Sequence, residues 1–295
     1  MRFLEAALTS ALGQGPVTIE RASPLAGGCI HEARRLSTSA GDFFAKWSAG
    51  APPDLFLREA ECLTTLRAAG GEVVVPRVIA ASGPEGGDPA FLLLEFLPPS
   101  ASGEPMDQER LGRGLAHIHR RSAERFGFQH STYCGATKQD NHSADSWPEF
   151  YGKRRLRPLV EALVARGQLS VAERQVHETL IERLDTLLPQ GSIPALIHGD
   201  LWSGNVVWSA RGPALVDPAC AFADREMEFG ISTLFGGLSP RAMSAYEEAL
   251  PLPSFWRERN PLYQLYHLLN HAVLFGDHYA ADANRIARRY AGARP

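Results

Sequence analysis

The spacing of apolar residues changes partway along the chain. Residues 1–12 read as a short helix. Short apolar runs with strand character follow at residues 17–20, 31–37 and 43–47, with a turn at 24–30 and another at Gly41-Asp42. Residues 55–69 take up helical spacing, with Phe56, Leu63 and Leu66 on or near one face. Val73-Val74-Val75-Pro76 enters a further strand region, and the apolar run at residues 91–97 stops at Pro98-Pro99. The Gly- and Pro-rich residues 83–88 are expected to form a surface hairpin loop. Beyond this point the pattern predicts helices over 107–121, 147–166 (broken near Pro158), 171–188, 227–235, 240–250 and 261–279, and again to the end. Strand character returns only around 200–217. A strand-rich segment thus precedes a helix-rich one, which predicts an α+β chain divided into residues 1–97 and 98–295 near positions 98–103.

Composition narrows the class. The 295 residues suffice for a substantial core, and 44% hydrophobic with 21% charged residues is ordinary for a globular protein. A net charge of -3 lacks the basic balance of broad nucleic-acid binders. No apolar run approaches the ~20 residues that span a bilayer, so no membrane association is expected. Met1-Arg2-Phe3-Leu4-Glu5 carries an early acid and does not read as a secretory leader. The four cysteines, Cys29, Cys62, Cys134 and Cys220, are scattered without CxxC spacing. A cytoplasmic protein without a zinc site is the expectation. His117 and His119 do not alter it, because positions i and i+2 of a helix face apart.

Chemistry concentrates in His198-Gly199-Asp200-Leu201-Trp202-Ser203-Gly204-Asn205 and in Asp217-Pro218. Asp200 can orient or deprotonate a hydroxyl, while Asn205 and Asp217 are oxygen ligands of the kind Mg²⁺ prefers. The Asp200-to-Asn205 spacing is that of a protein-kinase catalytic loop, so phosphoryl transfer from ATP is the leading reading. Upstream, Gly27-Gly28 lets backbone N–H groups approach phosphate, although GxGxxG is absent. Lys46, amid apolar neighbours on a strand, needs a partner. Glu59 on the next helix fits the register better than Glu61. Glu95-Phe96-Leu97 joins the two parts and offers backbone groups to adenine. Cys29, near the glycine amides and Lys46, is a candidate oxidisable thiol, whereas Cys62, Cys134 and Cys220 read as structural. Asp224-Arg225-Glu226-Met227-Glu228 either starts a helix or buttresses the Asp200 loop.

These residues resemble the fructosamine kinases, or ketosamine-3-kinases, of the aminoglycoside-phosphotransferase branch of the protein-kinase-like fold. The most discriminating pieces are residues 198–205, Asp217-Pro218-Ala219, Asp224-Arg225-Glu226, Leu234-Phe235-Gly236-Gly237 and Tyr263-Gln264-Leu265-Tyr266-His267. The resemblance implies a β-rich nucleotide-binding lobe before a helical lobe, with ATP and Mg²⁺ as cofactors. It implies transfer to the 3-hydroxyl of a small-molecule ketosamine, of fructosamine or ribulosamine type, and a role in deglycation. Gly27, Gly28, Lys46, Glu59 and residues 95–97 would serve ATP, Asn205 and Asp217 the metal, and Asp200 the acceptor proton. Trp202 stands either against the substrate or in the core, and the acids Asp224 and Glu228 suit a cationic acceptor. Glu228 where an Asp is usual, Cys220-Ala221-Phe222-Ala223 and His31 depart from the pattern. An acceptor such as choline, homoserine or an aminoglycoside is the alternative.

Overall fold

The computed structural model describes residues 1–25, 32–100, 104–276 and 278–292. Its N-terminal part is helix α1 (Arg2–Leu12) and strands β1 (Ile19–Pro24), β2 (Glu32–Thr38) and β3 (Gly41–Ser48), then helix α2 (Leu55–Ala69) and strands β4 (Val78–Ser82) and β5 (Ala90–Glu95). The strands form one five-stranded antiparallel sheet in the order β1-β2-β3-β5-β4. Alternation along β3 decides which side chain faces which partner. Phe43 and Ala45, with Phe91 and Leu93 of β5, pack under Leu4 and Leu8 of α1. The opposite parity sends Phe44, Leu92 and Leu94 toward α2, and Lys46 shares that parity.

The second part is helical. It comprises α3 (Pro105–His119), α4 (Trp147–Phe150), α5 (Arg157–Ala165), α6 (Val171–Glu182), α7 (Leu184–Leu187), α8 (Glu228–Phe235), α9 (Pro240–Ala249), α10 (Trp256–Phe275) and α11 (His278–Ala291). Three small antiparallel ribbons interrupt it: β6 (Thr132–Cys134) with β7 (Thr137–Gln139), β8 (Ala195–Ile197) with β11 (Ala221–Ala223), and β9 (Val206–Ser209) with β10 (Gly212–Leu215). Among the described residues, no helix is long and apolar enough to cross a membrane.

The pattern missed some details for physical reasons. The helix expected over 147–166 does not break near Pro158: it runs on through a π-helical turn at Tyr151–Leu156 into α5, where Pro158 lies just after that turn. The Val-rich 73–76 segment forms only a lone parallel bridge, Val74 to Ala214, and the strand begins after Pro76. The β6–β7 ribbon is too short to announce itself by alternation.

One apolar cluster ties the lobes together. Leu55, Phe56, Leu63 and Leu66 of α2 and Leu92 and Leu94 of β5 pack with Leu111 and Leu115 of α3, Leu196, Leu201, Leu215 and Phe229. The deep core of the helical lobe lies elsewhere, around Trp147, Phe150, Tyr151 and Tyr263, all almost fully buried. Trp147 stacks on Tyr151 at 5.2 Å and donates its indole N–H to Tyr263 Oη at 3.2 Å. Trp147→Ala is expected to cost about 3–5 kcal/mol of stability by urea unfolding, with the loss falling on the helical lobe.

Candidate active site

The site starts with a lysine that the sheet cannot leave unpaired. Lys46 is buried, and its ammonium lies 2.6 Å from Glu59 Oε2 and 2.8 Å from Asp217 Oδ1. Glu59 falls within the buried stripe of α2, among Leu55, Phe56, Cys62, Leu63 and Leu66, so the same helical period that packs the helix aims its carboxylate at β3. Burial works against the charge on Lys46, but the Asp217 and Glu59 carboxylates outweigh it and hold its pKa above the ordinary value. Burial, partly offset by Lys46, pushes the Glu59 carboxyl up to about 7. Asp217 is half exposed, and Lys46 beside it overcomes the burial effect and keeps it ionised below the usual range. Its backbone has φ 54°, the left-handed region that a non-glycine residue seldom adopts, just before a proline.

Asp200 and Asn205 form the second half. They leave β8 through a loop and a 3-10 turn at Ser203–Asn205. Asn205 Nδ2 donates to the Asp200 carbonyl at 2.8 Å and to its Oδ2 at 3.1 Å. That commits the amide nitrogen and turns Oδ1 into the atom available to a cation. Burial, reinforced by the Asp217 charge, pushes the Asp200 carboxyl up to about 7.

The loop is held from behind. Glu228, fully buried at the start of α8, accepts from His198 N at 2.6 Å and Gly199 N at 3.0 Å, and pairs with His119 Nε2 at 3.3 Å. His119 Nδ1 in turn meets Tyr246 Oη at 2.8 Å. Burial opposes the charge on Glu228, yet His119 and the backbone donors keep its pKa below the ordinary value. His198 bridges the two catalytic segments. Its Nε2 bonds to Val216 O at 2.9 Å while its Nδ1 accepts from Asp200 N at 3.3 Å, a pairing that calls for the Nε2–H tautomer. Gly199 has φ 83°, and a Cβ there would stand 2.2 Å from Ala219 O, so only glycine allows the loop to cross the Asp217 segment this closely.

The chain as a whole resembles proteins of one family. A family model described as fructosamine kinase matches residues 2–292. The chain belongs to the fructosamine kinase family. It is 36% identical over 286 residues to a probable ketoamine kinase of Lactiplantibacillus plantarum, covering 95% of this chain and 98% of that one. It is 34% identical over 300 residues to the chloroplastic protein-ribulosamine 3-kinase of Oryza sativa subsp. indica, covering 96% of this chain and 85% of that one. A crystal structure from Thermobifida fusca, named provisionally a fructosamine-3-kinase, superposes with TM-score 0.87 at 31% identity over the whole of both chains. The aminoglycoside phosphotransferase APH(4)-Ia, solved with AMP-PNP and hygromycin B, shares the fold alone, with TM-score 0.64 at 13% identity over 98% of each chain. The two-lobed, protein-kinase-like architecture expected from the sequence is therefore the architecture of this fructosamine kinase.

Not every expected site residue stands where that reading put it. Lys46, Glu59, Asp200, Asn205 and Asp217 come together. Glu228 does not face an acceptor: it is spent on the backbone of residues 198–199. Asp224 is buried too, accepting from Glu226 N at 2.8 Å and from Ser192 Oγ as the cap of the turn at Arg225–Met227. The run does both things the sequence allowed: Asp224 caps the turn that leads into α8, and Glu228 braces the Asp200 loop. The Glu95 side chain holds Arg77 N at 2.8 Å and Arg211 Nη2 at 3.0 Å, so any contact with adenine falls to the backbone of residues 95–97. Phe96 and Leu97 continue half-buried beyond β5, with Phe96 under the Arg35 guanidinium. Trp202 is half-buried and folds back over Gly204, where a Cβ would meet the indole at 2.4 Å. Gly27, Gly28, Cys29 and His31 lie outside the described residues. Sequence reasoning missed His119, paired with Glu228 across 109 positions, and Cys134, whose thiol lies within 4.8 Å of the Asp200 carboxylate.

Two outcomes follow. Glu228→Gln should keep the fold but lower kcat about 10–100-fold, with little change in KM for ATP, as the loop loses a charged acceptor; steady-state kinetics check this. Because the folded pKa of Asp200 lies above its unfolded value, the native state binds the extra proton between about pH 4 and 7. Its contribution to stability is therefore present below that window and lost as pH rises through 7. After allowance for partial solvent screening, Asp200→Asn should be more stable than the parent by about 1–2 kcal/mol at pH 8, with the difference vanishing near pH 4, as read by denaturant titration at each pH.

Proposed function

We propose that this chain transfers the γ-phosphoryl group of ATP to the 3-hydroxyl of a ketosamine, a sugar joined to an amine, and so serves deglycation. The observation that carries the reading is the Lys46 ammonium shared by Glu59 and Asp217, with the Asp200–Asn205 pair alongside. The names of the relatives, ketoamine kinase and protein-ribulosamine 3-kinase, point to ketosamines rather than to choline, homoserine or an aminoglycoside.

Each residue then has a task. Lys46, steadied by Glu59, orients the α/β-phosphates. The Asn205 amide oxygen and the Asp217 carboxylate are a hard-oxygen donor set that fits Mg²⁺. When bound there, Mg²⁺ supplies charge neutralisation to the phosphates. Asp200 takes the proton of the acceptor hydroxyl as the new O–P bond forms and ADP leaves. Asp200 titrating at about 7 can hold and release a proton near neutrality. Gly27 and Gly28 would serve the phosphates, and the backbone of residues 95–97 would serve adenine. Residues 1–97 would form the nucleotide lobe and 98–295 the acceptor lobe, with Trp202 offering an apolar face to the sugar or its amine.

The test is to incubate the protein with ATP, Mg²⁺ and fructosyl and ribulosyl amines, and to locate the phosphate by NMR. Phosphate on O3, with kcat/KM rising through about pH 7 and falling at least ~10³-fold in Asp200→Ala and Asp217→Ala, is the expected result. Turnover of choline or homoserine but of no ketosamine would sink it.

A further inference from the structure

Three side chains distant in sequence meet at Asp200. Cys134 ends β6, and His267 lies midway along α10. The Cys134 Sγ, a carboxylate oxygen of Asp200 and one imidazole nitrogen of His267 all lie within 4.8 Å of one another. Cys134 is 3% exposed and His267 1%, whereas Asp200 is partly open. His267 Nδ1 is buried with no hydrogen-bond partner among the described residues, a costly state for a polar atom in a packed helix. The sulfur is oriented from outside its own strand. Asn270 Nδ2 donates to Sγ and to the Cys134 carbonyl, both at 3.3 Å, and Gln139 Nε2 donates at 2.5 Å to Tyr266 Oη, which neighbours the thiol.

We propose that Cys134, Asp200 and His267 form a binding site for a thiophilic divalent cation, Zn²⁺ above all, and that its occupancy withdraws Asp200 from phosphoryl transfer. A sulfur, a nitrogen and an oxygen make a donor set that zinc accepts and magnesium does not. Charge also fits. Coordination takes a thiolate, a carboxylate and a neutral imidazole, so two negative charges meet a 2+ ion and the buried site is neutral overall. The thiol proton leaves to solvent and nothing is oxidised. Zinc bonds of about 2.0–2.3 Å set tetrahedral ligand atoms about 3.3–3.8 Å apart. The three groups would need to close by about 1 Å, a side-chain adjustment. The fourth position is left to water on the open side of Asp200. Without the cation, the Cys134 thiol stands within 4.8 Å of the same carboxylate. The inhibitory half of this proposal rests on Asp200 acting as the base; the binding half does not.

The experiment titrates the whole protein, in excess Mg²⁺, first with Co²⁺ and then with Zn²⁺ as competitor. We expect one equivalent of Co²⁺ to give thiolate-to-cobalt charge-transfer absorption, displaced by Zn²⁺. The band should be lost in Cys134→Ser, and affinity should fall at least about tenfold in His267→Asn, both variants being checked by circular dichroism. Kinase rates, each normalised to that protein's own metal-free rate, should fall with Zn²⁺ in the parent and not recover with more Mg²⁺ or ATP. Cys134→Ser should need at least tenfold more Zn²⁺ for the same fractional loss. An absent cobalt band, a band that persists in Cys134→Ser, or equal zinc sensitivity of parent and variant overturns the site. Cobalt bound through Cys134 with unchanged turnover overturns the inhibitory claim and counts against Asp200 as the base. A protein that binds cobalt through Cys134 yet phosphorylates no ketosamine keeps the site and loses the substrate reading.

Discussion

One buried cation organises this molecule. Lys46 lies on the sheet face that packs toward α2, where an unpaired ammonium would be prohibitively costly. It is stable there because Glu59 approaches from its own lobe and Asp217 from the other. The same contact that solves the burial problem brings the halves of the site into register. Two carboxylates around one ammonium also leave negative charge in excess. Burial, with the Asp217 charge adding to it, lifts the Glu59 carboxyl to about 7 and the Asp200 carboxyl likewise. The site is arranged for additional positive charge.

Rigidity comes from behind the reacting groups. Glu228 grips two consecutive amides of the loop, His119 hydrogen-bonds to it, and Tyr246 holds His119. His198 ties the Asp200 backbone to the segment that carries Asp217. The left-handed backbone at Asp217 is a strained conformation held by this surrounding frame. A further contact, to His119, holds the Glu228 side chain in place.

The sequence brings candidate residues together where their contact follows local spacing. Asp200 and Asn205 sit five positions apart on one loop, so their hydrogen bond is written into the sequence. Glu59 could be preferred over Glu61 because helical period alone decides which one joins the buried stripe. Glu61 indeed turns away, to Arg58 at 3.1 Å. The acidic run at 224–228 was legible as charge but ambiguous in role. Only burial shows that Asp224 and Glu228 face inward to backbone amides rather than outward to a cationic acceptor.

Composition, period and short motifs by themselves determined the α+β class and the family, because each depends on neighbours a few positions away. They gave no sign of a zinc site, since no metal-ligand spacing occurs along the chain. The approach of Cys134 and His267 to Asp200, and of His119 to Glu228, was decided by tertiary packing alone. Those contacts join β6, the catalytic loop, α3, α8 and α10 across long stretches of chain. No local pattern encodes them, because their distances follow from how whole helices pack and not from the residues that lie between.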